Sequence, residues 1–426
     1  MNNSNITSNA EANIMPREKK LKKLKEGNTE FYIHIEDKDV IPSKAMNVFY
    51  NEKMELNRDI SILAVKSYSN IYNKSELTLV DAMAGSGIGS IRLLNETSSI
   101  TTVYINDINP SAQELIKLNM TLNNRPQSKV HSFITTKDAN LLFNEIVQRS
   151  FNDEEASHKK PEIISIDPFG TPVPYIDSAF KCITLNQGLL CITATDTPVL
   201  FGVRPKACLR KYMAKPLHNE FCKEIGARIL LYTISRIANI NKAGFLPLLT
   251  FYSNHFVRIF LLTYKSKRKI FQAMENYGYC VYCKHCGHRF KTPLNIINSI
   301  GICSLCGEDK LDYAGPLWIG ELHERTFLEK ISITIGNSES LIKHRNRISN
   351  LLQFCLDELH MPIGYFNIHR LCRETNTKAI PKMETLIDHI ESKGHTASRT
   401  HFDFTSIKTT MDIISLKQLL KKLGSN

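Results

Sequence analysis

A chain of 426 residues exceeds what one hydrophobic core usually serves, so two domains are expected, and a hydrophobic content of 42% supports a sizeable core. Lys and Arg total 54 against 42 Asp and Glu, a formal net charge of +12, which favours a polyanionic partner over a small acidic molecule alone. No segment offers the roughly 18 consecutive apolar residues of a membrane span and the N-terminus lacks an apolar signal core, so a soluble protein with no membrane partner is expected.

Residues 1–30 are polar and Asn-rich, then strongly basic from Arg17 to Lys25. They read as a disordered basic tail, with a weak RNA-binding or nuclear-import segment as the other reading. From about residue 76 a strand–helix rhythm sets in. "ELTLVDAMAGSGIGSIRLL" joins an apolar strand through a Gly-rich turn to a helix. "TTVYIND" is a second strand, and "INPSAQELIKLNMTLNN" is a helix opened by Pro110 and Ser111. "HSFITTKDANLLF", "EIISI" and "GLLCITATDTP" add further strands. Such alternation argues for an α/β fold with a parallel, doubly wound sheet, whose ligands sit at the carboxyl ends of its strands. The rhythm ceases near residue 265, which divides the chain into a first domain over 31–268 and a second over 269–426.

Asp81 ends the first strand, and Gly85, Gly87 and Gly89 let the backbone approach a ligand while turning into the next helix. Asp107 ends the second strand about 20 residues on, where a carboxylate accepts from ribose hydroxyls. Asp138 and Ala139 would then lie over an adenine, the acid accepting from its exocyclic amine. No phosphate-binding Lys follows the turn, and the turn is too irregular for a dinucleotide fingerprint. S-adenosylmethionine fits better: it has no pyrophosphate, and Asp81 would lie beside its cationic end.

The stretch "IISIDPFGTPVPY", residues 163–175, supplies the chemistry. An aromatic exocyclic amine is a poor nucleophile because its lone pair is delocalised. A carboxylate accepting a hydrogen bond from that amine localises the lone pair and holds the nitrogen in line with a methyl group. Asp167 fits that role, Pro168 fixes the turn and helps orient nearby carbonyl oxygens as further acceptors, and Phe169 offers a face for a flat base.

Five of the eleven cysteines fall between positions 280 and 306. Cys283-x2-Cys286-x16-Cys303-x2-Cys306 has the paired-knuckle spacing of a tetrahedral zinc site, with a Gly after each second cysteine. Cys280 also makes a C-x2-C with Cys283, and His285 and His288 are possible substitutes. Four thiolates close such a site, so its Zn2+ is expected to be structural. Arg204, Lys206, Arg210, Lys211 and Arg399 are candidate phosphate contacts.

The segments "VFYNEKMELNRDISI", "DAMAGSGIGSIR", "IDPFGTP", "TATDTPVLFG", "RILLYTISRIAN", "YFNIHRLC" and "SRTHFDFTSIKT" resemble, in order, those of the Trm1 family, the tRNA guanine-26 N2-dimethyltransferases, over about residues 45–410. The resemblance implies a Rossmann-like class I methyltransferase fold with a second, α+β C-terminal domain that carries the zinc site and binds tRNA. It implies that Arg58, Arg92, Asp107, Asp138 and Ala139 contact S-adenosylmethionine, that Asp167 is the catalytic carboxylate, and that Phe49 and Phe169 sandwich the target guanine. In this chain Gly89 stands where the family's turn usually carries Arg. The expected activity is transfer of one and then a second methyl group to guanosine-26 of tRNA by a protein that is monomeric when free. The alternatives are an amino-methyltransferase on another nucleic-acid base, such as adenine N6, and a non-catalytic zinc-containing RNA-binding protein. Nuclear, cytoplasmic and mitochondrial sites would all supply tRNA and reduced thiols.

Overall fold

The structure is a computed structural model that describes residues 21–37, 46–123, 130–152, 159–337 and 342–424. The chain begins with a hairpin, β1 (Leu21–Glu26) and β2 (Thr29–His34), and then α1 (Glu55–Ile71). Next come β3 (Leu77–Asp81), α2 (Ile88–Glu96), β4 (Ile100–Asn106), α3 (Pro110–Leu122), β5 (His131–Thr135), α4 (Ala139–Asn152), β6 (Ile163–Ile166), α5 (Val173–Cys182) and β7 (Asn186–Ala194). Three helices follow, α6 (Thr197–Leu200), α7 (Pro205–Tyr212) and α8 (Cys222–Ile240), then β8 (Gly244–Ser253) and β9 (Phe256–Tyr264).

Strands β3 to β9 form one seven-stranded sheet in the order β5-β4-β3-β6-β7-β9-β8, apart from the β1-β2 hairpin. The first five run parallel, but β9 pairs antiparallel with both β7 and β8, so the expected parallel sheet is a mixed one. The cause is local: only Asn254 and His255 separate β8 from β9, and so short a link permits only an antiparallel return. The central strands are almost continuously apolar because both faces are covered; in β7, Gly188 through Ala194 are all buried. Helices α1 and α3 pack one face and α4, α5 and α8 the other. α1 does so with a stripe of Leu56, Ile60, Leu63 and Ala64 at helical spacing. The strand order reverses between β3 and β6, which fixes a crevice at their carboxyl ends.

Beyond the sheet lie α9 (Lys267–Met274), β10 (Tyr277–Cys283), β11 (Arg289–Pro293), β12 (Leu311–Trp318), α10 (Arg325–Gly336) and α11 (Arg345–Asp357). The chain ends with β13 (Phe366–Asn367), α12 (Ile368–Glu374), α13 (Met383–Glu391), β14 (Ala397–Arg399), β15 (Ser406–Thr409) and α14 (Ile413–Leu423). Two small three-stranded sheets result, β11-β10-β12 and β13-β15-β14. Residue 268 lies just past the last strand of the large sheet, but packing does not divide there. Phe327, Leu328 and Ile331 of α10 and Ile348 and Leu352 of α11 join the core under α1, while Leu317 and Trp318 of β12 join the core on the α8 face. A separate small core, including Phe366, Leu386, Ile407 and Leu416, holds the last segment together.

The hairpin corrects the expectation of disorder through residue 30: residues 21–30 are strand and turn, and residues 1–20 lie outside the described part. Phe31 and Ile33 pack on Ile88, and the Glu26 carboxylate reaches Arg58 and Arg92, so this basic stretch has both an apolar and an ionic anchor. Among the described residues no helix is long and apolar enough to cross a membrane.

Candidate active site and cysteine cluster

Side chains alternate along a strand, and on the sheet face beneath α1 that alternation sets out Leu79 and Asp81 of β3, Ile163, Ser165 and then Asp167 from β6, Cys191 of β7, and Arg258 of β9. Together with Asn57, Arg58 and Ser61 of α1 they line an inner cavity. An outer cavity of about 420 Å³ adjoins it, within the roughly 300–1,000 Å³ usual for small-molecule sites. Asp107, Asp138, Ala139, Gly85, Pro168 and Phe169 are among its lining residues. Asp167, Phe49 and Met83 line both, so the predicted catalytic carboxylate stands where the cavities meet.

Each strand end is locked by its own turn. The Asp107 carboxylate accepts from the Gly85 backbone N–H at 2.8 Å and from Asn109 N–H at 2.9 Å, which ties the Gly-rich turn to the end of β4. Gly85 has φ +54°, and a Cβ there would meet the Phe49 carbonyl oxygen at 2.7 Å, so turn and aromatic segment touch through a position open to glycine. Asp138 caps α4, its Oδ1 accepting from Asn140 N–H at 2.9 Å. The Asp-Pro-Phe-Gly turn is clamped by Thr195: its hydroxyl accepts from Gly170 N–H at 2.6 Å and donates to the Pro168 carbonyl at 3.3 Å. The Pro168 carbonyl is thereby engaged by the protein itself.

The two deepest carboxyls are both shifted. Burial pushes Asp81 up to about 6; the Ser90 hydroxyl, donating at 2.6 Å, and the Arg258 charge oppose this, while the Asp167 charge adds to it. Burial also raises Asp167, against the charges of Arg258 and Arg58 and a hydrogen bond from Thr193. Phe49 and Phe169 meet, as expected of a base platform, but edge to face, with centroids 4.7 Å apart at 81°. Parallel plates around a base stand roughly 7 Å apart, two van der Waals layers, so the rings must separate to admit one. Phe169 is 44% exposed and reachable.

Arg58 lines the inner cavity, its guanidinium over the Tyr50 ring and donating to Glu26 at 2.8 and 2.5 Å. Arg92 is not brought to the cleft. It is fully buried, its guanidinium 2.8 Å from Asp59, 2.9 Å from Glu96 and 3.4 Å from Glu26. It sits one helical turn beyond the Gly-rich loop on the inward face of α2, so it is enclosed by α1 and the hairpin. The correction is plain: Arg92 is a buried structural cation. At Gly89 an added Cβ would have only Asp81 Oδ2 within 4 Å, at 3.9 Å, so the missing side chain leaves that end of the inner cavity open.

Of the candidate phosphate contacts, Arg204, Lys206 and Arg210 are exposed, on and just before α7, which follows the carboxyl end of β7 on the cleft's edge of the sheet. Lys211 pairs with Asp196 at 2.9 Å, and Arg399 donates to the Phe404 carbonyl at 2.8 Å. Those two are held by the protein itself. Sequence reasoning missed Arg258, Thr193 and Thr195. The legible signal for Arg258 was a single cation inside the apolar run "FVRIFLLTY".

The cysteine ambiguity resolves. The sulfurs of Cys283, Cys286, Cys303 and Cys306 all lie within 4.8 Å of one another, with Cys283–Cys306 and Cys286–Cys303 at 3.7 Å. Tetrahedral thiolates about 2.3 Å from zinc stand about 3.8 Å apart, so the set fits the ion. Cys280 is fully buried in the β10 core, outside the cluster, and His288 donates its backbone N–H to the Cys286 sulfur at 3.3 Å. A second buried group, His323, Cys355, Glu358 and His401, is built around hydrogen bonds. Thr250 N–H donates to His323 Nδ1 at 3.3 Å, which leaves His323 Nε2 to carry the proton toward Glu358; His401 Nδ1 and the Thr400 hydroxyl bond to the same carboxylate.

The model of the family described as N2,N2-dimethylguanosine tRNA methyltransferase matches residues 29–421. A tRNA (guanine(26)-N(2))-dimethyltransferase of Methanobrevibacter smithii is 35% identical over 410 residues, covering 96% of this chain and 99% of that protein. One from Methanothermobacter thermautotrophicus is 34% identical over 381 residues, covering 88% and 93%. Among solved structures, Trm1 of Pyrococcus horikoshii in complex with S-adenosyl-L-methionine superposes with a TM-score of 0.76 at 29% identity, over 94% of this chain and 99% of that one.

Proposed function

The chain belongs to the N2,N2-dimethylguanosine tRNA methyltransferase family, and from that premise we propose how its two adjoining cavities divide the work. It is an S-adenosylmethionine-dependent tRNA (guanine-26 N2)-dimethyltransferase. The outer cavity takes the adenosine half of the cofactor, with Asp107 at the ribose and Asp138 and Ala139 at the adenine. The inner cavity takes the amino-acid half, with Asp81 and Arg58 as its charged walls and the space beside Gly89 left free. S-adenosylmethionine supplies an electrophilic methyl group on a sulfonium. The observation that carries the reading is that Asp167 lines both cavities, so the methyl group and the carboxylate share the junction.

The chain's own residues do the rest. Asp167 accepts a hydrogen bond from the guanine N2 amine, which localises the lone pair and points it into the junction. Phe49 and Phe169 part to stack the base between them. As the new N–C bond forms, N2 sheds a proton, and the Asp167 carboxyl, raised by burial, is a better acceptor for it than an ordinary carboxylate. The monomethyl product keeps one N–H for Asp167, so a second round uses the same contact. The exposed Arg204, Lys206 and Arg210 meet tRNA phosphates beside the cleft.

Cys283, Cys286, Cys303 and Cys306 hold a structural zinc ion; four thiolates leave it no open position for catalysis. The ion pins the Cys303–Cys306 loop to the end of β10, stiffening the surface beyond the sheet.

The test uses tRNA transcripts carrying guanosine or adenosine at position 26, S-adenosylmethionine, and nucleoside mass spectrometry. Monomethyl- then dimethylguanosine from the first transcript alone is expected. Equal methylation of both transcripts overturns the site assignment. Asp167→Asn should bind cofactor and tRNA yet lose about 10²–10⁴-fold in turnover; wild-type turnover removes Asp167 from the mechanism.

A further inference from the structure

Arg258 is a buried cation without an ion-pair partner. It is 3% exposed, and among the described residues no carboxylate lies within the 4.0 Å of a salt bridge to it. Its Nη1 donates to the Thr193 hydroxyl at 2.7 Å, its Nη2 to the Ser61 hydroxyl at 3.3 Å, and its Nε is buried with no partner. A charge taken out of water without a counter-charge in contact is costly. Its guanidinium lies 5.0 Å from the Phe260 ring centroid, a contact that does not replace a counter-charge, and its neighbours on β9 are apolar and fully buried.

What it does face is the junction. Thr193 and Arg258 are directly opposed on β7 and β9, the Thr193 hydroxyl accepts from Arg258, Asp167 and Thr193 each follow the paired Ile166 and Ile192 of β6 and β7, and Asp167 and Arg258 line the same inner cavity. The charged and titratable groups around Asp167 are Asp81 from β3, Arg58 from α1, Cys191 from β7 and Arg258 from β9, with Lys137, Asp107, Asp138 and Tyr175 in the outer wall. Cys191 stays neutral, its thiol pushed up to about 11 by burial. Arg58 has its own carboxylate in Glu26. Asp81 and Asp167 repel one another, and Arg258 is the cation placed to offset them.

We propose that Arg258 is a positioning residue for methyl transfer: acting through the Thr193 hydroxyl, it holds the Asp167 carboxylate ionised and aimed at the junction of the two cavities. This rests on Asp167 being the acceptor of the N2 amine, so the two roles are separated in the test. Thr193 stands between the two in the sheet register and accepts from the guanidinium, so its single proton is the one it has to give to Asp167. That leaves the outward lone pairs of Asp167 for the base. Arg258 lines the inner cavity, but its hydrogen bonds go to Thr193 and Ser61.

The experiment is the pH dependence of turnover at saturating S-adenosylmethionine and tRNA for wild type, Arg258→Met, Arg258→Lys, Thr193→Val and Asp167→Asn. In Arg258→Met the acid limb should move upward by about one pH unit or more, as expected when a neighbouring opposite charge is lost. Arg258→Lys, which keeps the charge, should leave the limb at its wild-type place. A limb in Arg258→Met that coincides with wild type overturns the proposal, as does an equal displacement in Arg258→Lys. Should Arg258→Met fail to fold, Thr193→Val asks the same question, with an upward limb expected and a wild-type limb overturning the relay. Wild-type turnover in Asp167→Asn would instead sink the acceptor role and Arg258's with it.

Discussion

Replacing Arg92 with leucine separates a cofactor ligand from a structural cation. The guanidinium is fully buried, makes a two-toothed contact with Glu96 at 2.9 and 3.2 Å, and reaches Asp59 at 2.8 Å and Glu26 at 3.4 Å. Glu26 would keep Arg58, but Asp59 and Glu96 would lose the guanidinium between them. Removing one partner of a buried ion pair costs about 3–5 kcal/mol, a large part of the 5–15 kcal/mol that folded proteins possess. Burial already raises Asp59 even with Arg92 beside it. In the variant the folded-state value of Asp59, already raised, would lie further above its unfolded value. The stability linked to it is then present at low pH, where it is protonated, and lost as pH rises through that value. Arg92→Leu should therefore melt well below wild type, and the gap should be wider at pH 8 than at pH 5. Thermal unfolding across that range and calorimetric titration with S-adenosylmethionine at low temperature check both points, with cofactor affinity expected to stay within about twofold. A tenfold loss of cofactor affinity with an unchanged melting profile would refute the reasoning and return Arg92 to the cleft.

Phe169→Ala should lower kcat/KM for tRNA by roughly fivefold to 150-fold, the equivalent of about 1–3 kcal/mol of stacking, without altering S-adenosylmethionine affinity; unchanged tRNA kinetics would deny the ring its role. Because burial pushes Asp81 up to about 6, cofactor affinity measured by calorimetry should weaken about tenfold between pH 7 and pH 5 as the carboxylate is neutralised. A flat profile would show that the Asp81 charge is not felt by the ligand. Elemental analysis should find one zinc per chain, lost in Cys303→Ser together with protection of residues 283–306 from proteolysis. Zinc-free wild-type protein with the same protection would remove the ion from the structure.

The parallel half of the sheet could be read from sequence because each strand–turn–helix unit is contiguous. An apolar run, a Gly or Asx turn and an amphipathic helix lie within about 30 residues of one another, and the capping chemistry, such as Asn109 bonding Ser111 N–H before Pro110, is local. The antiparallel end of the sheet was hidden, since β8 and β9 are as apolar as any buried parallel strand and only their two-residue link betrays the direction. The hairpin at residues 21–34 was hidden for the opposite reason. Its lysines lower its hydrophobicity to that of a tail, while its anchors lie well downstream, the arginines of α1 and α2 being 32 and 66 residues from Glu26.

The site divides along the same line. Asp81, Asp107, Asp138 and Asp167 are each at or just past a strand's carboxyl end, a position that topology alone makes functional, and all four line the two cavities. Arg58 and Arg92 could not be told apart in sequence, because both sit on helices near the Gly-rich turn and differ only in which way the helix faces. Arg58 points along the cavity wall, and Arg92 points into the seam between α1, α2 and the hairpin. The charge that completes the junction comes from β9, some 90 residues after Asp167, and reaches it only because β9 returns antiparallel to β7 and sets Arg258 opposite Thr193. A single arginine in a strand whose neighbours are all apolar has nothing to gain from burial unless a charge awaits it there, which is why such a residue belongs with the strand-end aspartates among the first to be mutated.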